Sequence, residues 1–468
     1  MQLPNFPIFA NALRYAANDN GLAIDDVRIQ TEFTYKQLVQ AVGALRETLL
    51  KGNSGFAYVV CQWAVWAAGG VAVPLCTTHP LPEQLYSIQD SQAGLLLVHP
   101  VFQERGEALA KEANIPHETV TEEALKVDEN AGLPTLFDMD ISRRALIIFT
   151  SGTTGKPKGA VSTHRNINAQ TSALVNAWHW TSSDRIHHIL PLHHVHGIIN
   201  ALTCPLYAGA TVEMHQKFDP IQVWDRWLAG YEKKLPALTT FMSVPTVYSK
   251  LISRYSALED EKKPAYSEAC KQFRFMVSGS ASLPNPVRDH WRKISSGQIL
   301  LERYGMTEIG MGLSQPYDDR AEGTVGLPLE GVEVRLMAET EEGSGQYDKD
   351  ITDTREVSGM LQIKGDNVFS EYWQRPEATA KEFTSDGWFR TGDIAMRTKE
   401  KGYYQILGRA STDIIKTGGE KVSALEIERE ILSCTELHVQ DVAVIGVEDP
   451  EWGQKVAAVV VLHQNQVR

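Results

Sequence analysis

The sequence runs to 468 residues, 43% of them apolar, and its 45 basic and 58 acidic residues leave a net charge of −13. That length exceeds what one hydrophobic core organises, so more than one domain is expected, and the acidic balance excludes nucleic acid as a partner while leaving local basic loops able to grip a nucleotide. Five scattered cysteines (Cys61, Cys76, Cys204, Cys270 and Cys434), without CxxC spacing, exclude a disulfide framework and fit reduced thiols.

The first charge is Arg14, so neither a secretory signal nor an Arg-rich transit peptide is expected, which makes the cytoplasm the default compartment and the mitochondrion the alternative. Apolar residues recur at helical spacing from Tyr35 to Leu50. The uncharged run Phe56 to Leu75 is long enough to span a bilayer, but Gln62, Gly69-Gly70 and Pro74 divide it into a buried helix and a strand over Val71 to Leu75. No integral membrane segment is expected. A strand at Leu95 to Val98 follows a helix from Pro82 to Gln89 and precedes one from Val101 to Ala113. Trp63, Trp66, Trp178 and Trp180 read as packing residues.

The apolar strand Ile147-Ile148-Phe149 then empties into Thr150-Ser151-Gly152-Thr153-Thr154-Gly155-Lys156-Pro157-Lys158-Gly159. Glycines let successive backbone N–H groups converge on an anion, hydroxyls add donors, and two lysines balance a polyphosphate. It is not a Walker A loop, because only Thr153 and Thr154 separate Gly152 from Gly155. The competing reading is a surface turn.

His187, His188, His193, His194 and His196 raise the question of a metal cluster, but the only carboxylate nearby is Asp184 and no cysteine joins them at ligand spacing, so none is expected. Strands at Gly209 to Met214 and Phe273 to Val277 deliver loops to a site, and the acidic segment Glu339 to Glu356 reads as a surface excursion. A strand at Tyr403 to Leu407 ends at Gly408-Arg409-Ala410-Ser411, where a domain boundary is expected, giving domains of 1–408 and 409–468. A helix at Ala424 to Cys434 and strands at Val442 to Val447 and Val456 to Leu462 complete an α/β pattern built on mainly parallel sheets, with a small C-terminal α+β domain.

The phosphate loop, with Ser278-Gly279-Ser280-Ala281, Glu302-Arg303-Tyr304-Gly305-Met306-Thr307-Glu308, Arg390-Thr391-Gly392-Asp393, and Gly408-Arg409 running on to Asp413, Lys416, Gly418 and Gly419, resembles the adenylate-forming superfamily, which includes acyl-CoA synthetases, luciferases and peptide-synthetase adenylation modules. The resemblance implies that Thr150, Ser151, Gly152, Thr153, Thr154, Gly155, Lys156 and Lys158 cradle the β- and γ-phosphates of ATP, with Thr153 and Lys158 catalytic. It implies a Mg²⁺ ion held by Glu308 and Thr153, with Thr307 beside Glu308. Gly279, Ser280, Ala281, Tyr304 and Gly305 would receive the adenine, and Asp393 and Arg409 the ribose; taken alone, Asp393 is as readily a local turn cap. Ser411 falls at the family's hinge, and Lys416, Gly418 and Gly419 would line the path of the coenzyme A thiol, with Lys416 catalytic.

Leu301 to Met311, Pro191 to Gly197 and Asp413 to Gly419 resemble the malonyl-CoA synthetase branch, which implies His196, Gly197, Arg303 and Met306 at the acyl group. A dicarboxylate needs a cation for its distal carboxylate, and Arg303 offers a bidentate fork; the competing reading pairs Arg303 with Glu302 or another acid. The implied activity is an ATP-dependent acid–CoA ligase acting through an acyl-adenylate on small-molecule substrates, with a ligase for another short or medium-chain acid as the nearest alternative. Two departures stand out. Only Lys51-Gly52-Asn53-Ser54-Gly55 occupies the place of a family strand, and the family's terminal Gly-Lys motif has no counterpart after Lys455. They make a nucleotide-binding pseudoenzyme the alternative of a different class, while a carrier-loading module is disfavoured by the lack of a carrier domain.

Overall fold

A computed structural model describes residues 1–18, 20–27, 29–49, 57–121, 132–150, 156–215, 217–341, 346–417, 420–434, 437, 439–449 and 452–462. The segment 51–55, where the family strand is missing, lies outside them, as do 151–155 and 418–419. The chain forms two compact units: Met1–Phe218 with Met306–Gly310 and Asp366–Lys381, and Asp219–Gly305 with Met311–Gly365 and Glu382–Arg468.

In the first unit, helix Tyr35–Leu49 buries Leu38, Val39, Val42 and Leu45, the three-to-four spacing expected of one apolar face. Its buried Tyr35 hydroxyl donates to Ala210 O at 2.8 Å, which fixes the helix to the turn before strand Thr211–Met214. That strand pairs in parallel with Arg185–His188 and Leu22–Asp26, and Leu22–Asp26 pairs antiparallel with Thr31–Thr34. Helix Ala57–Ala67 carries the uncharged run; Trp63 and Trp66 are fully buried, and Trp66 Nε1 donates to Ala145 O at 2.7 Å. No helix among the described residues is long and apolar enough to cross a membrane. Trp178 and Trp180 are also buried.

The strand expected over Val71 to Leu75 is corrected to a single parallel bridge from Ala72 to Leu146. Pro74 has no N–H to extend the ladder, and Gly69-Gly70 turns the chain just before it. Helices Leu81–Asp90 and Gln103–Ala113 and strand Leu96–Val98 lie close to their expected places, a short 3₁₀ turn at Pro100–Phe102 preceding the second helix. Strand Arg144–Thr150 pairs antiparallel with Lys158–Thr163. Thr163 then caps helix His164–Ala177 in a reciprocal pair with Asn166.

In the second unit, strands Thr240–Ser243, Phe275–Ser278 and Leu301–Met306 run parallel in that order, while Gly310–Ser314 pairs antiparallel with Leu327–Pro328. Helices Pro220–Tyr231, Pro245–Ser256 and Asn285–Ile294 bring Trp224, Trp227, Tyr248 and Trp291 together with Phe241, all fully buried, with ring centroids 4.9–6.1 Å apart. A five-stranded antiparallel sheet follows, ordered Tyr347–Asp350, Val332–Glu339, Gly359–Gly365, Phe389–Arg397, Tyr404–Arg409. Part of the expected excursion after Glu339 is therefore its edge strand. Beyond it, helix Ala424–Ser433, capped by Ser423, packs Ile427 and Ile431 on a small core of Ile415, Ala424 and Val444. The hairpin of Val439–Asp449 and Gly453–Leu462 completes that region. The α/β class expected from the sequence holds, with mixed rather than uniformly parallel sheets.

Trp291→Ala removes the ring that touches Trp224, Trp227 and Tyr248, and should cost about 3–5 kcal/mol of stability. Urea unfolding checks it; a loss below about 1 kcal/mol would mean that this aromatic cluster is not a core.

Candidate functional site

In the first unit the antiparallel strands pair Thr150 with Lys158, the described residues on either side of 151–155. Strand Glu371–Tyr372 adds to the same hairpin through Val161 and Ala160. That register sets the Tyr372 ring 4.0 Å from Lys158 Nζ and lets the Tyr372 hydroxyl donate to Glu308 Oε1 at 2.7 Å. Glu308 is buried, and its backbone carbonyl accepts from Phe369 N at 2.7 Å. A buried carboxylate with one oxygen oriented by a phenol fits a hard divalent cation. Lys156 lies 5.6 Å from the Tyr86 ring, whose hydroxyl donates to Pro157 O at 2.8 Å. Ser151, Gly152, Thr153, Thr154 and Gly155 fall outside the described residues, whereas Met306 and Thr307 are half-buried in the same unit as Glu308.

His196 and Gly197 open a π-helical stretch, His196–Thr203, that no sequence pattern announced. A Cβ on Gly197 would stand 2.1 Å from Pro191 O, so only glycine fits there. The Gly197 carbonyl lies 3.1 Å from His188 Nε2. Of the remaining histidines, His193 meets two residues from a distant segment: one ligand atom each from Cys76, His79 and His193 falls within 4.8 Å of the others. The sequence concealed this set because its cysteine lies far from the histidine run.

The second unit brings Tyr304, Asp393 and Arg409 together. The Tyr304 hydroxyl donates to Asp393 Oδ2 at 2.5 Å, and Arg409 Nε lies 3.1 Å from Asp393 Oδ1. The Asp393 backbone N–H donates to Thr391 Oγ1, while its buried carboxylate faces Tyr304 and Arg409. Asp413, to which the sequence assigned no role, accepts from Arg409 N at 2.9 Å and holds the turn that carries Arg409. Ser411 is exposed on that turn, and Lys416 is exposed on strand Ile414–Thr417, its N–H donating to Gln454 Oε1. Gly418 and Gly419 lie outside the described residues.

Gly279, Ser280 and Ala281 follow strand Phe275–Ser278, with Ser280 and Ala281 exposed and Ser280 at a φ of 66°. Arg303 is 5% exposed, and its Nη2 donates to Ser280 Oγ at 3.2 Å. Burial holds the guanidinium pKa down to about 9. Arg303 does not pair with Glu302: adjacent residues on a strand point to opposite faces, and Glu302 instead faces Arg288 at 3.6 Å. Burial pushes the Glu302 carboxyl up to about 7 despite Arg288 and Arg429. Among the described residues no carboxylate lies within ion-pair reach of Arg303, and its Nε is buried without a hydrogen-bond partner.

His164 and His188 are held neutral by burial, which lowers each pKa from 6.5 to about 4; Arg143 reinforces the first and His215 the second. An unfolded ring protonates near 6.5, so their stability contribution is complete above that pH and is lost as pH falls toward 4. The double variant His164→Leu/His188→Leu should flatten the urea midpoint between pH 6.5 and 4.5 relative to the parent by roughly 2 kcal/mol or more. Comparing slopes cancels other titrating groups such as Glu302, and parallel profiles would show that the rings are charged in the fold.

The AMP-binding enzyme family matches residues 23–373, and the AMP-binding enzyme C-terminal domain matches residues 426–468. A mitochondrial malonate–CoA ligase of Mus musculus is 47% identical over 428 residues, 88% of this chain and 72% of that protein. The Xenopus laevis enzyme of the same name is 42% identical over 97% of this chain and 82% of its own length. ATP-bound MatB from Rhodopseudomonas palustris superposes with a TM-score of 0.83 at 32% identity, covering 99% of this chain and 90% of that one. With most of its length inside the first match, the chain belongs to the AMP-binding enzyme family.

Proposed function

We propose that this protein is an ATP-dependent, AMP-forming acid–CoA ligase that makes malonyl-CoA, or a close dicarboxylyl-CoA, through an acyl-adenylate. The observation that carries the dicarboxylate reading is Arg303, a buried guanidinium with no carboxylate partner among the described residues. Burying such a cation unpaired costs several kcal/mol, and the second carboxylate of malonate would restore the pairing with a bidentate geometry. A fatty-acid tail would leave the charge unsatisfied. The names of the mouse and frog relatives agree with that substrate.

A carboxylate is a poor acyl donor. It attacks the α-phosphate of ATP, pyrophosphate leaves, and a thiol then displaces AMP from the acyl-adenylate. Catalysis of this kind is positioning and charge neutralisation. In this reading Lys156 and Lys158, with the hydroxyls and N–H groups from Thr150 to Gly155, hold the phosphates. Tyr372 orients Glu308 toward a Mg²⁺ ion, which would neutralise phosphate charge. Asp393, aimed by Tyr304 and Arg409, accepts from the ribose hydroxyls. Gly279, Ser280 and Ala281 admit the flat base, His196, Gly197 and Met306 bound the acyl group, and Lys416 serves the coenzyme A half-reaction. Domains of 1–408 and 409–468, hinged at Ser411, would separate the two half-reactions. The shared name of the vertebrate relatives favours the mitochondrion over the cytoplasm as its compartment.

Pyrophosphate release with ATP and Mg²⁺ should be selective for malonate over acetate, succinate and a medium-chain acid. Arg303→Ala should lower kcat/KM for malonate by about 10²–10³, with Arg303→Lys recovering only part, and leave the weak acetate rate nearly unchanged. An equal loss for malonate and acetate would sink the recognition role. Tyr372→Phe should raise the Mg²⁺ concentration for half-maximal rate about tenfold or more, at unchanged malonate KM; a change confined to malonate KM would remove Glu308 from the metal.

A further inference from the structure

We propose that Cys76, His79 and His193 form a binding site for one thiophilic divalent cation, of which Zn²⁺ is the natural example. None of the three has a role in the ligase chemistry above. All three belong to the first unit. Their ligand atoms lie within 4.8 Å of one another, whereas a tetrahedral zinc ion with ligands at about 2.0–2.3 Å would set them roughly 3.5 Å apart. The gap is small enough for side-chain rotation to close, because the His79 side chain is half exposed while Cys76 is buried at the base of the set.

The donor set selects the cation. One thiol and two imidazoles favour zinc and its neighbours over Mg²⁺ or Ca²⁺, which prefer oxygen. Glu83 Oε2 lies 3.3 Å from His79 Nδ1, one helical turn on, and this carboxylate–imidazole contact is the kind that orients a ligating ring. The Cys76 Sγ is 3.2 Å from Thr78 Oγ1, a neighbour able to stabilise the thiolate left when binding releases the thiol proton. Three protein ligands with one of them open to solvent leave a fourth position for water, so the site would be exchangeable.

The consequence is a staple. The ion would tie the segment before helix Leu81–Asp90 to the Pro191–Gly197 loop, which leads into the π-helical stretch at His196. Sequence spacing gave no hint of this, since Cys76 and His79 stand in a C-x-x-H pair whose third member lies in another part of the chain.

Cobalt(II) titration of the full chain, after dialysis against chelator, tests the site without recourse to activity. The exposed Cys434 is first replaced by serine to remove a surface thiol. One equivalent should bind with the visible bands of a tetrahedral ion and a near-ultraviolet thiolate-to-cobalt band, and one equivalent of zinc should displace it. Cys76→Ser should abolish the thiolate band, and His79→Asn, at a half-exposed side chain, should weaken binding at least tenfold. Absence of the bands at equimolar cobalt, or their persistence unchanged in His79→Asn, would overturn the proposal; that second variant decides the matter even if Cys76→Ser misfolds.

Discussion

A guanidinium buried with no acid in reach among the described residues is the constraint around which its neighbours in the second unit are arranged. Removing Arg303 from water costs several kcal/mol, and the fold returns little of it: one hydrogen bond to Ser280 and a pKa drawn down to about 9. The neighbourhood is shaped to tolerate the side chain. A Cβ at Gly279 would stand 2.5 Å from the guanidinium and would have to displace it, and Ser280 adopts a left-handed conformation next to it. Strand alternation sends Glu302, the obvious partner, to the opposite face, where Arg288 meets it. A buried cation with no carboxylate in reach among the described residues is the feature on which the proposed dicarboxylate recognition rests.

The same economy of placement governs the other groups. One tyrosine, Tyr372, touches both Lys158 and Glu308, so strand pairing with the hairpin places a lysine and a buried carboxylate against one aromatic ring. One aspartate, Asp393, gathers Tyr304 and Arg409, and Asp413 fixes the turn that presents Arg409. In each case a backbone register, rather than a flexible side chain, sets the geometry, which suits a reaction accelerated mainly by positioning.

Much of this was legible in the sequence where local pattern and local structure coincide. The helix from Tyr35, the strand leading to Thr150 and the helix from Ala424 follow from periodicity and caps. Tyr304, Asp393 and Arg409, named from motifs far apart in the chain, do converge. What escaped depends on pairing between distant segments. Tyr372 reaches Glu308 only because its strand joins the hairpin, and Trp224, Trp227, Tyr248 and Trp291 of three helices meet only once those helices pack. Val71 to Leu75 has the composition of a strand but not its ladder, because Pro74 removes a donor. Cys76 and His79 carry no metal signature until the fold delivers His193.

The central claim is that Arg303 is a destabilised cation kept for a substrate carboxylate, and equilibrium urea unfolding of Arg303→Met measures it most directly. Methionine fills similar space without charge. The account predicts a variant at least as stable as the parent in the absence of ligands, and no stabilisation by malonate with a non-hydrolysable ATP analogue where the parent gains it. A loss of about 3–5 kcal/mol in the ligand-free variant, the signature of a broken buried ion pair, would contradict it.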